Sequence, residues 1–173
     1  LTAGVSVSGS AQRMFAGVDS FSYLAIPMFM LAGKLMEYGG ISARIVQVAK
    51  ILCAKVRGGL AITSIVACSF FAALSGSAPA TVSAIGGIMY PEMLKDGYDE
   101  EFAGGMISVA GNLGPLIPPS ILMVTIGVCT GVSISDMFLG GIVIGILLAV
   151  VFCLTAYVIC RRRNYGGSGQ TYS

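Results

Sequence analysis

The sequence predicts an all-α integral membrane protein, and three observations support that prediction. Hydrophobic residues make up 55% of the 173-residue chain, charged residues only 10%, and the mean hydropathy is +0.88. Soluble domains carry about 25% charged residues. Two stretches, residues 58–91 and 102–135, lack charge altogether, yet proline, glycine and serine interrupt each near its middle. Helices in a bilayer are therefore expected, some of them discontinuous.

The N-terminal part is expected to contain the end of a preceding element and then a span. Residues 1–19 are rich in serine and glycine and then weakly amphipathic, which favours an exposed or interfacial position. Residues 20–38 predict a spanning helix that begins after Asp19, ends at Gly39 and is kinked at Pro27. No initiator methionine or signal peptide is visible, so we expect a piece of a longer protein.

Residues 41–57 have a different pattern and complete the second predicted unit, residues 20–57. Basic residues lie among apolar ones that recur at helical spacing, and Ser42 could cap the helix start. The apolar positions are Ile41, Ile45, Val48, Ile51 and Leu52. A short basic amphipathic helix between spans is typical of the membrane interface. A solvated connecting helix is the alternative, although its apolar face would then need another cover.

The third unit, residues 58–91, is predicted to be a re-entrant helical hairpin. One continuous helix over this stretch would be about 51 Å long at 1.5 Å per residue, whereas a hydrocarbon core is about 30 Å thick. Ser75, Gly76, Ser77 and Pro79 lie together at its centre, where helix propensity is poor. Two short helices meeting at a polar tip solve the problem. A kinked span, with serine hydroxyls satisfying the broken backbone, remains the alternative.

The fourth unit, residues 92–160, is predicted to hold a polar loop, a broken span and an ordinary span. Three prolines and two glycines at residues 111–120 predict an unwound segment between two half-helices. A turn is expected at 131–136, and residues 137–160 predict the last span. Residues 161–173 begin with three arginines and are expected to form a disordered polar tail.

The basic residues predict the orientation of these spans. Eight of the ten lie near the end of the first span, after it or after the last span, and the turn at 131–136 has none. They are Lys34, Arg44, Lys50, Lys55, Arg57, Arg161, Arg162 and Arg163. Because lysine and arginine favour the cytoplasmic side, both ends of the hairpin and the tail are expected there. Their position beside apolar segments, with a net charge of +2, gives no indication of a nucleic-acid partner.

The two interrupted stretches are the best sequence indication of a transporter's binding site. Unwound carbonyls and hydroxyls suit Na⁺, and half-helix N-termini favour anions. Neither break contains an ionisable residue, which favours Na⁺ over proton coupling. Taken one at a time, each hydroxyl could equally bond neighbouring helices. The five cysteines have no metal-ligand spacing and are expected to be small buried hydrophobes rather than disulfides.

Two other functional classes are open to this pattern. A channel also uses re-entrant half-helices, but it needs a ring of polar groups that one repeat does not supply. An intramembrane enzyme would need a general base beside Ser75 or Ser77, and we expect no histidine or lysine nearby to act as one. We therefore expect no enzymatic activity and no cofactor beyond the coupling ion.

Four segments, taken in order, resemble the large membrane subunit of TRAP (tripartite ATP-independent periplasmic) transporters. The resemblance covers roughly residues 11–157. The segments are residues 25–33 (AIPMFMLAG), residues 74–81 (LSGSAPAT), Pro91-Glu92-Met93 with Gly97-Tyr98, and residues 111–120 (GNLGPLIPPS). The resemblance implies one half of an inverted-repeat, elevator-type secondary transporter, a multi-pass protein of the bacterial inner membrane. It also implies Na⁺-driven import of C4-dicarboxylates, sialic acid or similar carboxylates. A channel or another Na⁺/dicarboxylate symporter is the alternative.

The resemblance also implies site residues and partners. A Na⁺ site is implied at the two breaks, with Ser75, Gly76, Ser77, Gly114, Ile117 and Pro119. Candidate substrate residues are Ser77, Thr81, Asn112 and Ser120. The implied partners are a small membrane subunit, a periplasmic substrate-binding protein, a carboxylate and the lipid bilayer. Two departures from the family pattern stand out: Pro79 replaces a serine or other small residue, and the second hairpin and broken helix are not in this chain.

Overall fold

The computed structural model describes residues 7–19, 21–53, 56 and 58–165, and all regular structure within them is helical. Eight helices occupy the described residues. They are α1 (Val7–Val18), α2 (Phe21–Tyr38), α3 (Ile41–Cys53), α4 (Gly59–Ser75), α5 (Ala78–Lys95), α6 (Glu100–Gly111), α7 (Ile121–Thr130) and α8 (Ile134–Arg163). The prediction of an all-helical chain is confirmed. The predicted start at Ser20, the cations Lys55 and Arg57, and most of the tail lie outside the described residues.

One helix in the described part of the chain, α8, is long and apolar enough to cross a bilayer. The apolar helices α4 and α7 are shorter, as is the apolar part of α2. Only 11% of the apolar window of α8 is buried, and Leu139, Val143 and Leu147 are among its exposed side chains. An exposed surface of this composition on a long helix is typical of contact with lipid or with other membrane helices.

Helix α4 lies at the centre of the fold and packs against α2, α3, α5, α6 and α8. Its side chains are buried around most of its circumference, including Ile65, Cys68 and Phe71. A helix covered on nearly all sides has no solvated face that requires charge. Its uncharged sequence is therefore explained by its central position.

Both ends of the α4–α5 hairpin lie beside the C-terminal end of α8. A Cβ added at Gly58 would lie 2.6 Å from Cβ of Cys160. After the hairpin, Arg163 Nη1 donates to Asp99 Oδ2 at 3.1 Å, and the rings of Tyr98, Phe102 and Tyr165 pack against one another. Burial raises the pKa of Tyr98 above its ordinary value. We call this end of the molecule the base.

The opposite end of the hairpin lies far from the base. The segment after α6 packs on glycines of α8: a Cβ at Gly141 would be 2.9 Å from the carbonyl oxygen of Leu116, and one at Gly145 would be 2.7 Å from Ile117 Cγ1. Gly145 and Cys160 are separated by about 22 Å along α8 at 1.5 Å per residue. The hairpin therefore runs from the base to a level far along α8 and back.

Helix α3 packs on α4 through a face that differs from its predicted apolar stripe. Its buried residues are Ser42, Val46, Ala49 and Cys53, while Val48, Ile51 and Leu52 are exposed. At 3.6 residues per turn, the exposed stripe lies about a third of a turn from the buried face. The predicted cap at Ser42 is wrong: α3 begins at Ile41, after Gly40 with φ 75°, so Ser42 is already inside the helix.

One predicted boundary is wrong at the end of the hairpin. The polar loop after the hairpin shortens to residues 96–99 because α5 continues through Pro91 to Lys95. The proline ring removes one backbone donor, but burial of Met93 and a 2.5 Å ion pair between Lys50 and Glu92 hold this last turn.

The last helix is longer at both ends than predicted. It begins at Ile134 because the Ser133 hydroxyl caps it, accepting from the amide of Asp136 at 3.3 Å, and it includes all three arginines, which suit the negative C-terminal end of a helix. None of the five cysteines, all of which lie in the described part of the chain, forms a disulfide, in agreement with the prediction. Cys53, Cys68 and Cys160 are buried and Cys153 is half-buried, but Cys129 is exposed, against expectation, near the C-terminal end of α7.

Candidate ion and substrate site

The first break is a tight connection of two residues between α4 and α5. Gly76 ends α4 with φ 59°, a left-handed conformation that glycine adopts without steric cost, and its amide donates to the Ala72 carbonyl at 2.9 Å. Ser77 is extended and precedes α5. Pro79 lies in the first turn of α5, where a missing N–H costs no hydrogen bond. Local sequence therefore produces a sharp turn at residues 75–77, which we call the tip.

Hydroxyl groups bond to each other and to the backbone within this tip. Ser75 Oγ and Thr81 Oγ1 are 2.9 Å apart, and Thr81 Oγ1 donates to the Ser77 carbonyl at 2.8 Å. The Ser75 hydroxyl lies 3.4 Å from that same carbonyl. Ser75 and Thr81 are 4% and 0% exposed. Because their hydroxyls are buried away from water, they need hydrogen-bond partners within the protein. The tip is therefore an internally hydrogen-bonded turn.

The second break, residues 112–120, contains carbonyls without donors. Short turn bonds continue from Asn112 to Ile117, ending with the Ile117 amide on the Leu113 carbonyl at 2.9 Å. Pro115, Pro118 and Pro119 have no N–H, so the carbonyls of residues 111, 114 and 115 each lose at least one of the helical donors three or four residues on. No hydrogen bond in the described chain reaches the carbonyls of Gly114, Ile117 or Pro119.

The structure brings the two breaks into direct contact. A Cβ at Gly76 would lie 2.5 Å from the Pro119 carbonyl oxygen and 3.2 Å from Cα of Ser120. A Cβ at Gly114 would lie 2.7 Å from the carbonyl carbon of Ser77. Both glycines are needed for this approach because a side chain would push the backbones apart. The six predicted ion-site residues, Ser75, Gly76, Ser77, Gly114, Ile117 and Pro119, therefore belong to two segments in contact.

The four predicted substrate residues are distributed unequally. Ser77 belongs to the tip, and Thr81, in the first turns of α5, is hydrogen-bonded to it. Ser120, 1% exposed, adjoins Gly76, and its hydroxyl caps α7 by accepting from the Met123 amide at 3.4 Å. Asn112 is exposed at the end of α6, where its side-chain amide donates to the Ser108 carbonyl at 3.2 Å. The described contacts do not bring Asn112 to the tip.

Lys34 is the residue near the tip that sequence reasoning missed. It lines a cavity of about 70 Å³ together with Gly33 of α2, Ser75, Ser77 and Ile121. The expectation that no lysine lies near Ser75 and Ser77 is therefore wrong. The predicted orientation counted Lys34 among the cations on the cytoplasmic side. Because Lys34 lies near the tip and not at the base of the molecule, it does not support that orientation. The available signal was a cation inside the predicted span of residues 20–38, since ionisable residues within spans often have a function.

A known protein family matches nearly the whole of this chain. Residues 2–172 match the family model described as the tripartite ATP-independent periplasmic transporter, DctM component. The chain belongs to the DctM family. The resemblance seen in the sequence is thereby confirmed over nearly the whole chain.

Three curated relatives illustrate the range within the DctM family. The C4-dicarboxylate TRAP transporter large permease protein DctM of Vibrio cholerae is 49% identical over 92% of this chain and 35% of its own length. The sialic acid TRAP transporter large permease protein SiaM of the same species is 37% identical over 95% and 39%. The ectoine/5-hydroxyectoine large permease protein UehC of Ruegeria pomeroyi is 41% identical over 88% and 36%.

The DctM relatives support a coarse functional class for this chain. The chain spans only about a third of the length of these relatives. They are named as transporter permeases rather than enzymes, which favours transport over catalysis. Their membership in a membrane permease family implies a membrane location for this chain as well. The substrates in their names differ, so family membership alone does not select one.

Proposed function

We propose that this chain forms one half of the transport site of a Na⁺-driven importer of small carboxylates. The observation that carries the proposal is the contact between the two breaks, Gly76 against Pro119 and Gly114 against Ser77. Each break costs helical hydrogen bonds, and a purely structural bundle gains nothing by bringing two of them together. Interrupted helices that meet within a bundle are the arrangement in which transporters bind ions and substrates.

The Na⁺ part of the proposal rests on oxygen atoms that lack donors. The carbonyls of Gly114, Ile117 and Pro119 accept no hydrogen bond in the described chain, and the tip contacts this segment, with Gly76 against the Pro119 carbonyl oxygen and Ser77 against Gly114. Hard cations such as Na⁺ bind unwound carbonyls and hydroxyls of this kind. Neither break contains an ionisable residue that could carry a proton, so Na⁺ is the coupling ion we propose.

The substrate part of the proposal rests on two helix N-termini. Helices α5 and α7 begin at Ala78 and Ile121, directly beside the tip, and the N-terminal end of a helix carries partial positive charge. A carboxylate is stabilised there in the same way as other anions. Ser77 lines the adjoining cavity, whereas Thr81 and Ser120 hold the turn and the cap that shape it.

We also propose the arrangement of this chain in the membrane. The α4–α5 hairpin is re-entrant, α6 and α7 form the broken span, and the base faces the cytoplasm of a bacterial inner membrane. The position of Arg161, Arg162 and Arg163 at the base supports this orientation. A second, inverted repeat in the rest of the permease completes the elevator-type fold, with a small membrane subunit and a periplasmic binding protein as partners.

Uptake by the full-length permease tests the function. The permease is reconstituted in liposomes with its small subunit and binding protein, and labelled succinate or sialic acid is offered with an inward Na⁺ gradient. Accumulation that requires Na⁺ supports the proposal. Accumulation that depends on a proton gradient and ignores Na⁺ would reject Na⁺ coupling, and uptake of neither carboxylate would reject the substrate class.

Labelling of single cysteines tests the orientation. In a cysteine-free parent, cysteines at Lys95 and Arg162 should react only from the cytoplasm, and one at Val132 only from the periplasm. All three positions are exposed in the structure. Labelling of positions 95 and 132 from the same face would reject the broken span that α6 and α7 form between them.

A further inference from the structure

The cavity beside the tip joins three parts of the chain that are far apart in sequence. Lys34 and Gly33 come from α2, Ser75 and Ser77 from the tip, and Ile121 from the start of α7. A Cβ at Gly33 would lie 3.6 Å from Cα of Ser75, so α2 approaches the tip closely. Lys34 is the one ionisable residue among the described residues that line this cavity.

The electrostatics of this cavity favour an anion. The first turns of α5 and α7 contribute Ala80 and Ile121 to its wall, so two positive helix ends adjoin the same space that Lys34 lines. The Ser77 side chain adds a hydroxyl that can donate. Carboxylate oxygens accept hydrogen bonds from ammonium and hydroxyl groups, and charge-assisted bonds of this kind are the strong ones.

The size of the cavity limits what it holds. At about 70 Å³ it corresponds to roughly two water molecules at about 30 Å³ each, which is room for one carboxylate group. Pockets for whole small molecules are several times larger, about 300–1,000 Å³. The remainder of a substrate would therefore extend out of this cavity.

We propose that Lys34 is a substrate-binding residue that determines the preference for anions: its ammonium binds one carboxylate of the substrate in the cavity beside the tip. The inference rests on the proposed function and adds a residue from outside both breaks. A substrate held in this way bridges α2 and the hairpin. Lysine serves here as a compact point charge on a flexible stem, which can move with the carboxylate as it enters.

The test compares charge variants in the full-length permease, reconstituted with its partners and assayed with labelled succinate. Lys34→Gln should raise KM for succinate about tenfold, the range expected for one charge-assisted contact at a partly exposed site. Lys34→Arg should retain most of the affinity because the charge remains. Lys95→Gln, an exposed lysine of the base, is the matched control and should leave KM unchanged.

Chemical rescue separates charge from structure. Lys34→Cys should regain succinate affinity after reaction with 2-aminoethyl methanethiosulfonate, which restores an ammonium, and should not regain it with neutral methyl methanethiosulfonate. Wild-type permease treated in parallel controls for reaction at native cysteines. If Lys34→Gln does not reach the membrane, Lys34→Met gives the same comparison.

The outcomes distinguish this inference from the proposed function. If wild-type permease shows no Na⁺-dependent uptake of succinate or sialic acid, the proposed function fails. If wild type accumulates succinate but Lys34→Gln and Lys34→Met keep its KM, the inference fails alone. Equal rescue by the charged and the neutral reagent would likewise overturn it, because the role of Lys34 would then be steric.

Discussion

The two breaks of this chain interrupt helices in different ways. The first is short, and its hydroxyls are satisfied internally by the bonds among Ser75, Thr81 and the Ser77 carbonyl. The second is long, and the carbonyls of Gly114, Ile117 and Pro119 in it have no donors within the described chain. The first break thus supplies an internally bonded turn followed by the positive end of α5, and the second supplies carbonyl oxygens that have no donor within the described chain.

This difference indicates a division of labour within one site. In the proposed site, the carbonyls of the second break would stabilise a cation, whereas the start of α5, directly after the first break, would stabilise a carboxylate. Because the tip rests directly on Pro119 and Ser120, the two charges would lie close together and attract each other. Four experiments probe this division, and their expected effects decrease from the first to the last.

The largest effect is expected when this chain is made without the rest of the permease, which would supply the second, inverted repeat. The 173-residue chain made alone should show no Na⁺-dependent uptake of succinate or sialic acid, because inverted-repeat transporters bind substrate between two repeats. Unsatisfied backbone groups in hydrocarbon cost several kcal/mol each, so poor folding or self-association is expected too. Purified chain in liposomes with a Na⁺ gradient provides the measurement, with the full-length permease as positive control. Accumulation above empty liposomes would contradict the half-site interpretation.

The next largest effect is expected from separating the breaks. Gly76→Ala should reduce uptake by the full-length permease to less than about a tenth, because backbone strain of about 1–3 kcal/mol adds to a clash with Pro119. Gly87→Ala is the matched control: a Cβ there meets no atom within 4 Å, and alanine favours the helix. Transport rates are measured together with the amount of permease in the membrane. Wild-type rates in Gly76→Ala would show that the contact is dispensable.

A smaller effect is expected from the hydroxyls of the first break. Ser75→Ala or Ser77→Ala should raise the Na⁺ concentration for half-maximal uptake about tenfold, since a lost buried polar partner costs on the order of 1–2 kcal/mol. Ser83→Ala, an exposed position on the same helix as Thr81, serves as control. Na⁺ titration of succinate uptake gives the half-maximal concentration. An unchanged value in both variants would remove the first break from the ion site.

The smallest effect is expected at Asn112. Its side chain is exposed and donates to the Ser108 carbonyl of its own helix, so Asn112→Ala should change KM for succinate by less than about twofold. The same uptake assay, run beside Ser77→Ala, measures the contrast. If Asn112→Ala raises KM for succinate as much as Ser77→Ala does, this prediction is wrong and Asn112 contacts the substrate.

Local features of this fold are predictable from sequence because their causes are local. Proline removes a donor and glycine permits φ 59° wherever they stand, so both breaks could be located from residues 75–79 and 111–120 alone. Composition was sufficient to indicate a membrane protein. The helix boundaries at Lys95 and Ile134 were not predictable from sequence. Burial of Met93 sets the first and the Ser133 cap sets the second, and the periodicity of apolar residues reveals neither of them.

The set of distant residues that share the site emerges only when the helices pack. Gly76 and Pro119, or Lys34 and Ser75, are more than forty residues apart, and no spacing rule connects them. Their proximity depends on α2 packing against both α4 and α7, which is set by the fit of many side chains at once. The amino-acid order therefore dictates where the helices break and which atoms become available there. Helix packing dictates that the breaks meet and that a lysine joins them.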